Sequence, residues 1–247
     1  MDLRERRLTQ VRRHPWETIR SAFFNQKIIG LTNGLPVRVL DIGSGDCWFA
    51  ENLLLKLPKG SQITCSDLNF SDEDLALNHA NNLIKTRDIP EQTYDIVIML
   101  DVLEHIEDDS DFLQKKVLPR LKPESRIVIS VPAHQSLFTS HDTFLGHYRR
   151  YSRRQLLDVS GKFFNTDDHG YLFISLAFVR LIQRLSASKT AKSESGIGNW
   201  SGGRFVTGLV NGALLIDSLV SQAFQKLQIQ IPGLTVWTIC SSKQTFA

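Results

Sequence analysis

The sequence predicts an α/β fold in which helices cover both faces of a mostly parallel β-sheet. Three observations predict it. Short apolar runs recur along the chain, and several are continuous, which is typical of strands buried on both faces. Stretches with helical spacing of apolar residues separate these runs. The first run leads directly into a glycine-containing turn, where folds of this class bind ligands.

Five apolar runs are predicted as strands. They cover residues 37–42, 63–65, 94–100, 127–131 and 235–240. A helix is predicted after the first strand, because Phe49, Leu53 and Leu57 repeat every four residues. Pro58 is predicted to stop it.

Further helix signals follow the same pattern. One apolar helix face is formed by Leu113, Val117, Leu118 and Leu121. Pro123 is predicted to end that helix. Capping boxes mark two more helix starts, at Ser71 with Asp74 and at Ser152 with Gln155.

Residues 171–232 interrupt this alternation and are predicted as a helical insertion before the last strand. A turn is predicted at Gly170, and two apolar runs, 171–185 and 205–224, flank a polar linker of small residues. Asp217 interrupts the second run, so a pair of amphipathic helices is favoured over a transmembrane hairpin. Packing against the domain explains their apolar residues equally well. The remaining prediction is a single domain over residues 1–247 with a helical extension at 1–29.

The net charge of +3 is unevenly distributed. Residues 1–20 carry six arginines against three acids, and residues 171–232 carry six basic residues against two acids. The rest of the chain is therefore acidic, which disfavours nucleic-acid binding. The two basic segments favour peripheral contact with an anionic membrane through 171–232. The three cysteines are too scattered to predict a disulfide framework. The basic N-terminal residues are not followed by the apolar run of a secretory signal peptide. Both observations predict a cytoplasmic protein.

The glycine turn is the strongest local signal. In VLDIGSGDC (39–47), a buried strand leads through Gly43 and Gly45 into a helix, so that backbone amides can approach a ligand. Asp67 ends the next strand, where a carboxylate accepts hydrogen bonds from a ribose diol. Trp48 replaces the third glycine of a dinucleotide fingerprint, and no tyrosine is followed four residues later by lysine. Nucleoside binding is thus favoured, and a nicotinamide-dependent sugar-modifying enzyme is disfavoured.

Three segments, VLDIGSGDCWFA, SDLN and YDIVIMLDVLEHIEDD, resemble the successive signatures of class I S-adenosylmethionine-dependent methyltransferases. A fourth, VPAHQSLFTSHDTFLGHYRRYSRRQL, resembles a bacterial subgroup with HD…GHxRRY elements. The resemblance covers about residues 15–185 and the closing strand GLTVWTIC. It implies a three-layer sandwich with a seven-stranded sheet, an antiparallel last strand, and S-adenosylmethionine as cofactor.

The resemblance also implies roles for residues at the strand ends. Asp41, Gly43, Ser44 and Gly45 of the first loop would hold the methionine part. Asp67 at the end of the second strand would hold the ribose, with Leu68 beside the adenine. Asp88 and Ile89 after the third strand would contact the adenine, and Leu100 and Asp101 at the end of the fourth would border the sulfonium pocket. Cys47 departs from the family pattern, which has a third glycine there.

Three histidines, His105, His134 and His141, are candidate general bases for a hydroxyl acceptor. A base is not obligatory, because proximity alone can supply roughly 7–11 kcal/mol. The structural alternatives are packing of a helix start for His105, a solvated loop for His134, and a loop-fixing hydrogen bond for His141.

Four residues are candidate acceptor contacts: Asp142, Tyr148, Arg149 and Arg150. Arginine forks suit anionic groups, but the same arginines could pair with the acids of EHIEDD. No metal site is predicted, since the spacing of the histidines between 134 and 147 matches no familiar site.

The predicted function is methyl transfer from S-adenosylmethionine to a small or lipid-linked acceptor, with oxygen favoured as the methylated atom. The alternative is a non-catalytic S-adenosylmethionine-binding scaffold or regulatory protein of a membrane-associated complex. The sequence carries no signal for the oligomeric state.

Overall fold

The computed structural model describes residues 13–76, 82–186, 200 and 202–243, and in this part of the chain seven strands form one sheet. The strands are β1 (Arg38–Ile42), β2 (Gln62–Ser66), β3 (Leu83–Thr86), β4 (Tyr94–Leu100), β5 (Leu121–Pro132), β6 (Phe164–Leu172) and β7 (Thr235–Ser242). Their order across the sheet is β3-β2-β1-β4-β5-β7-β6. β1 to β5 are parallel, and β7 lies antiparallel to both β5 and β6. The predicted fold class is confirmed.

β1 lies between β2 and β4, so the strand order reverses at this point. The connection after β1 (residues 43–61) packs on one face of the sheet, and the connections after β4 and β5 (101–120 and 133–163) pack on the opposite face. A crevice therefore opens at the carboxyl ends of β1 and β4, which is where open α/β sheets bind ligands.

Helices cover both faces of the sheet. They are α1 (Pro15–Leu31), α2 (Trp48–Leu54), α3 (Asp72–Ala76), α4 (Asp109–Phe112), α5 (Ser140–Leu145), α6 (Arg153–Gly161), α7 (Ile174–Ser186) and α8 (Arg204–Lys226). One core joins α1, α2 and α8 to the sheet, with Phe24 and Trp237 fully buried at its centre. The opposite core is formed with the 109–120 segment and α6. The two capping boxes occur as predicted.

The predicted helix over residues 113–121 is corrected by the structure. α4 ends at Phe112, and a single π turn (Leu113–Val117) and a 3₁₀ turn (Leu118–Arg120) follow it. Pro119 has no amide hydrogen and cannot continue the helical ladder. Leu121 is consequently the first residue of β5, and Pro123 lies within that strand rather than ending a helix.

The predicted turn at Gly170 is wrong. β6 continues through Gly170 to Leu172, because these residues pair with β7 between Thr235 and Trp237. A Cβ at Gly170 would lie 3.1 Å from the Trp237 ring, so the glycine admits the tryptophan. The helical part of the 171–232 segment begins at Ile174.

Parts of two predicted segments lie outside the described residues. These are residues 1–12 of the predicted N-terminal extension, and residues 187–199 and 201 of the predicted linker. The described part of the extension is α1, which packs along α8.

Candidate functional site

The loop after β1 turns sharply under the crevice. Gly43 and Gly45 have φ angles of +68° and +56°. The amides of Gly43 and Ser44 donate to the carbonyl of Ser66, at 2.7 and 3.2 Å, which ties the loop to β2. A Cβ at Gly43 would lie only 2.7 Å from Cγ2 of Val102. Both the backbone conformation and the available space therefore require glycine at position 43.

Asp67 faces this loop from the end of β2. Its Oδ2 accepts a hydrogen bond from the Gly45 amide at 2.9 Å, and its Oδ1 accepts one from the Asn69 amide at 2.9 Å. The structure thus brings the predicted loop and the predicted acid together. Leu68, beside Asp67, is exposed at the rim of the crevice.

The other predicted contacts lie at the ends of β3 and β4. Asp88 is exposed two residues beyond β3, and Ile89 packs partly against the second core. Leu100 ends β4 and packs against the first core. Asp101 follows it with a φ of +60°, an uncommon conformation for a residue other than glycine.

Cys47 fills the position where the family has a third glycine. It is fully buried at the start of α2 with a φ of +63°, so the chain accepts a left-handed cysteine there. Its thiol lies 3.9 Å from the Ser44 hydroxyl. A hydrogen bond with Cys47 and burial both raise the pKa of the Cys65 thiol on β2. A thiol with such a pKa is a packing group and not a nucleophile.

Asp41 is a buried acid beneath the loop. Its side chain lies on β1 and is only 3% exposed. Burial raises its pKa to about 7; the nearby Asp67 contributes in the same direction, and Arg20 opposes the shift. The carboxyl group therefore changes charge near neutral pH, and a cationic ligand above the loop would favour its ionised form.

This pKa predicts a pH-dependent stability. In the unfolded chain the Asp41 carboxyl ionises at its ordinary pKa of 3.8, whereas the folded chain retains the proton up to about pH 7. The free energy of unfolding should therefore fall as pH rises through this window and level off above it, by roughly 3 kcal/mol between about pH 5 and pH 8. Urea denaturation of the wild type and of Asp41→Asn checks this. The variant should lack this part of the slope, and parallel curves for the two proteins would contradict the assignment.

Two arginines of the N-terminal segment reach the site, and sequence reasoning missed both. Arg13 forms an ion pair with Asp46 in the glycine loop, and its guanidinium lies 4.9 Å from the Trp48 ring. Arg20 on α1 forms an ion pair with Asp101. The start of α1 is thereby fixed over the crevice. No local pattern could have indicated these pairs, because their partners are 33 and 81 residues away.

The three candidate histidines lie in different surroundings. The His105 ring meets the His147 ring edge-on, with centroids 4.5 Å apart. His134 stacks on Tyr171, and His141 stacks on Phe144 of α5.

Burial lowers the pKa of both His134 and His141. Each is therefore neutral at pH 7, as a general base must be. Their assignment as bases stays a prediction.

The candidate acceptor-binding residues form ion pairs within the protein. Arg149 contacts Asp109 at 3.2 Å, and both Nε and Nη2 of Arg150 donate to the carboxylate of Asp142. Burial acts to raise the pKa of Asp142, but the bonds from His147 and Arg150 hold it well below its usual range. Tyr148 is half-exposed. Arg149 thus pairs with an acid of EHIEDD, which is the structural alternative to acceptor contact. Acceptor contact stays a prediction for all four residues.

Comparison with known proteins gives consistent matches. A family model described as "Methyltransferase domain" matches residues 10–185. Two relatives named "Ubiquinone biosynthesis O-methyltransferase", from two strains of Rickettsia bellii, are each 32% identical over 127 residues. The match covers 47% of this chain and 51% of each relative, so it spans about half the length of the curated relatives.

Solved structures share the fold at low sequence identity. Coclaurine N-methyltransferase matches with a TM-score of 0.56 and 14% identity, over 92% of this chain and 72% of that one. A putative sarcosine dimethylglycine methyltransferase from Galdieria sulphuraria matches with a TM-score of 0.53 and 15% identity, over 90% and 85%. A SAM-dependent methyltransferase from Archaeoglobus fulgidus matches with a TM-score of 0.51 and 18% identity, over 92% and 97%.

Proposed function

The chain belongs to the methyltransferase-domain family of class I S-adenosylmethionine-dependent enzymes, and from that premise we propose that it methylates an oxygen atom of a lipid-linked acceptor at a membrane surface. The observation that carries the lipid-linked acceptor is the polarity of α8, which buries three polar side chains and Leu214 but leaves seven large apolar side chains exposed.

The crevice fits the methyl donor. The left-handed turn at Gly43 and Gly45 exposes backbone amides to a methionine part, and Asp67 offers a carboxylate at the place where a ribose diol would bind. S-adenosylmethionine supplies a methyl group on a cationic sulfur, which is already electrophilic. The protein has to bind the donor, align the acceptor oxygen with the methyl carbon and exclude water. The ion pairs of Arg13 and Arg20 hold α1 over the crevice and serve that last task.

The buried side of α8 is mostly polar. Asp217, Ser218 and Ser221 are buried there together with Leu214, although a helix on a water-soluble domain ordinarily buries an apolar stripe. Asp217 accepts hydrogen bonds from the amide and the hydroxyl of Ser175, at 3.3 and 3.0 Å, and so caps the first turn of α7. Gln225 donates to Asp168 on β6. These bonds fix α8 along the domain.

The outward sides of α7 and α8 carry many exposed apolar side chains, and we call these two sides together the α7–α8 face. Its exposed residues are Phe178, Val179, Leu181 and Ile182 on α7, and Phe205, Val206, Leu209, Leu215, Ile216, Leu219 and Val220 on α8. Arg180, Arg204 and Lys226 are exposed on the same helices. An apolar surface of this size with nearby cations suits the boundary of an anionic bilayer.

The α7–α8 face begins at the same edge of the sheet as the crevice. β6 ends at Leu172, level with the end of β5 at the carboxyl edge, and α7 starts two residues later. The Trp200 ring, just before α8, lies 5.0 Å from the His14 ring at the start of α1. An acceptor whose chain stays in the bilayer could therefore present its head group to the crevice.

Two further findings bear on this proposal. Among the described residues, α8 is the one helix with the length and mean hydropathy (1.3) to cross a membrane, which by itself is weak evidence. Its bonds through Asp217 and Gln225 favour a peripheral position instead. The name of the curated relatives supports oxygen as the methylated atom and an isoprenoid-linked ring as the acceptor class. We accordingly propose a cytoplasmic protein with peripheral membrane contact.

The experiment is transfer of labelled methyl from S-adenosylmethionine to two acceptors in anionic vesicles. One is a dihydroxybenzene with a long isoprenoid chain, and the other is the same ring without the chain. We expect labelling of the first acceptor at least tenfold above the second. Asp67→Asn should reduce it strongly, whereas Asp72→Asn, a change at an exposed acid on α3, should not.

Other outcomes would contradict the proposal. Equal labelling of both acceptors would indicate a small-molecule enzyme. Donor binding without transfer to either acceptor would favour the scaffold alternative.

A further inference from the structure

Glu104 is a fully buried carboxylate that makes no side-chain hydrogen bond to any described residue. It lies in the 3₁₀ turn Leu103–His105 that follows β4, and it is 0% exposed. Neither of its carboxylate oxygens has a hydrogen-bond partner in the described part of the chain. Burial and the nearby Asp101 raise the pKa of Glu104 well above its usual range. A buried acid of this kind either keeps a proton or binds a cation.

The surrounding arginines do not supply that cation. Each of the three is already matched with another acid. The pairs are Arg20 with Asp101, Arg149 with Asp109, and Arg150 with Asp142. Glu104 is thus the acid left over in this charged cluster, within the part of the chain that the structure describes.

Two imidazoles stand beside Glu104. One ligand atom from each of Glu104, His105 and His147 lies within 4.8 Å of the other two. Metal bonds from nitrogen and oxygen are about 2.0–2.2 Å long, so small side-chain rotations would bring all three atoms onto one ion. Two imidazoles and one carboxylate suit a borderline transition-metal ion such as Zn²⁺, and they leave a coordination position open.

A carboxylate outside the three ligands already orients one of the imidazoles. Nδ1 of His147 lies 3.0 Å from Oδ1 of Asp142, which leaves Nε2 to bind a metal. Asp142 is itself fixed by Arg150 and by the amide of Thr139. The Tyr148 amide donates to the Glu104 carbonyl at 2.7 Å and holds the two segments together.

We propose that Glu104, His105 and His147 bind one divalent transition-metal ion at the carboxyl edge of the sheet, with Asp142 as the positioning residue of His147. Glu104 follows Asp101 by three residues, so the ion would lie next to the crevice. Its role rests on the proposed function: a cation there lowers the pKa of an acceptor hydroxyl. The hydroxyl proton leaves to water, the new O–CH₃ bond forms as the S–CH₃ bond breaks, and that electron pair stays on sulfur.

The test measures metal binding without donor or acceptor, so its result does not depend on whether the proposed methyl transfer occurs. Chelator-treated full-length protein is dialysed against Zn²⁺, and bound zinc is counted by elemental analysis. We expect about one ion per chain in the wild type, and an affinity at least tenfold lower in Glu104→Gln and in His105→Asn. Asp142→Asn should weaken binding by about 10–100-fold without abolishing it.

His134→Asn is the matched control, because it removes an imidazole from the same sheet edge and asparagine tolerates the φ of +64° found there. It should bind zinc as the wild type does. Thermal melts without metal identify variants that fail to fold. His105 is only half-buried, so His105→Asn should destabilise the fold less than Glu104→Gln. No stoichiometric zinc in the wild type, or equal zinc in folded Glu104→Gln and wild type, would overturn the proposal in favour of a permanently protonated Glu104.

Discussion

Gly43→Ala is expected to lower the affinity for S-adenosylmethionine about a hundredfold. The new Cβ would lie 2.7 Å from Cγ2 of Val102, which is itself packed into the second core and has little room to move. The φ of +68° adds strain of order 1–3 kcal/mol for a residue with a side chain. Both effects act on the backbone that has to approach the ligand. Isothermal titration calorimetry with the donor measures the loss directly.

Gly34→Ala provides the matched control. Gly34 has a φ of +76°, but a Cβ there would meet no atom within 4 Å. This variant should lose a similar amount of stability through backbone strain and bind the donor as the wild type does. If Gly43→Ala were to bind the donor within threefold of the wild type, the glycine loop would not be the binding site, and the crevice would need another ligand.

The parts of the site that the sequence predicts are those with local signals. Gly43, Gly45 and Asp67 stand at strand ends, and parallel strands bring their carboxyl ends to one edge of the sheet. Asp67 does face the loop, through the amide of Gly45. The spacing of these residues along the sequence is sufficient to predict the site, because each strand is short and buried. The position of a strand in the sheet then determines where its last residue lies.

Other features depend on partners far away in the chain. β6, with the sequence FNTDDHGYL, has no apolar pattern because it is an edge strand that pairs only with β7. The net positive charge of the N-terminal segment predicts contact with an anionic membrane, yet Arg13 and Arg20 pair with acids of the site. The same applies to Glu104, whose burial between two distant segments turns an ordinary acid of EHIEDD into a candidate ligand. Long-range pairing of this kind leaves no periodicity in the sequence.

The second large effect is expected on the α7–α8 face. Leu209→Glu combined with Ile216→Glu should reduce binding to anionic vesicles by at least tenfold. The two side chains are 60% and 64% exposed and lie seven residues apart, two turns along the same side of α8. Burying a leucine or isoleucine in an apolar phase contributes about 1.5–3 kcal/mol to the free energy of binding. Losing part of this contribution at two positions, and adding two negative charges, should together weaken vesicle binding more than tenfold. Flotation with phosphatidylcholine and phosphatidylglycerol vesicles measures the bound fraction.

A matched double variant separates this surface from a general effect of two added acids. Leu35→Glu with Leu55→Glu changes side chains that are 65% and 85% exposed and lie outside α7 and α8, and it should float as the wild type does. Raising the salt concentration should weaken binding of the wild type only in part, because the apolar contribution is not screened. A wild type that stays in the soluble fraction at low salt would contradict membrane contact. If that protein were dimeric and the α8 variant monomeric, the inverted polarity of α8 would belong to an interface between two chains. The lipid-linked acceptor would then lose the observation on which it depends.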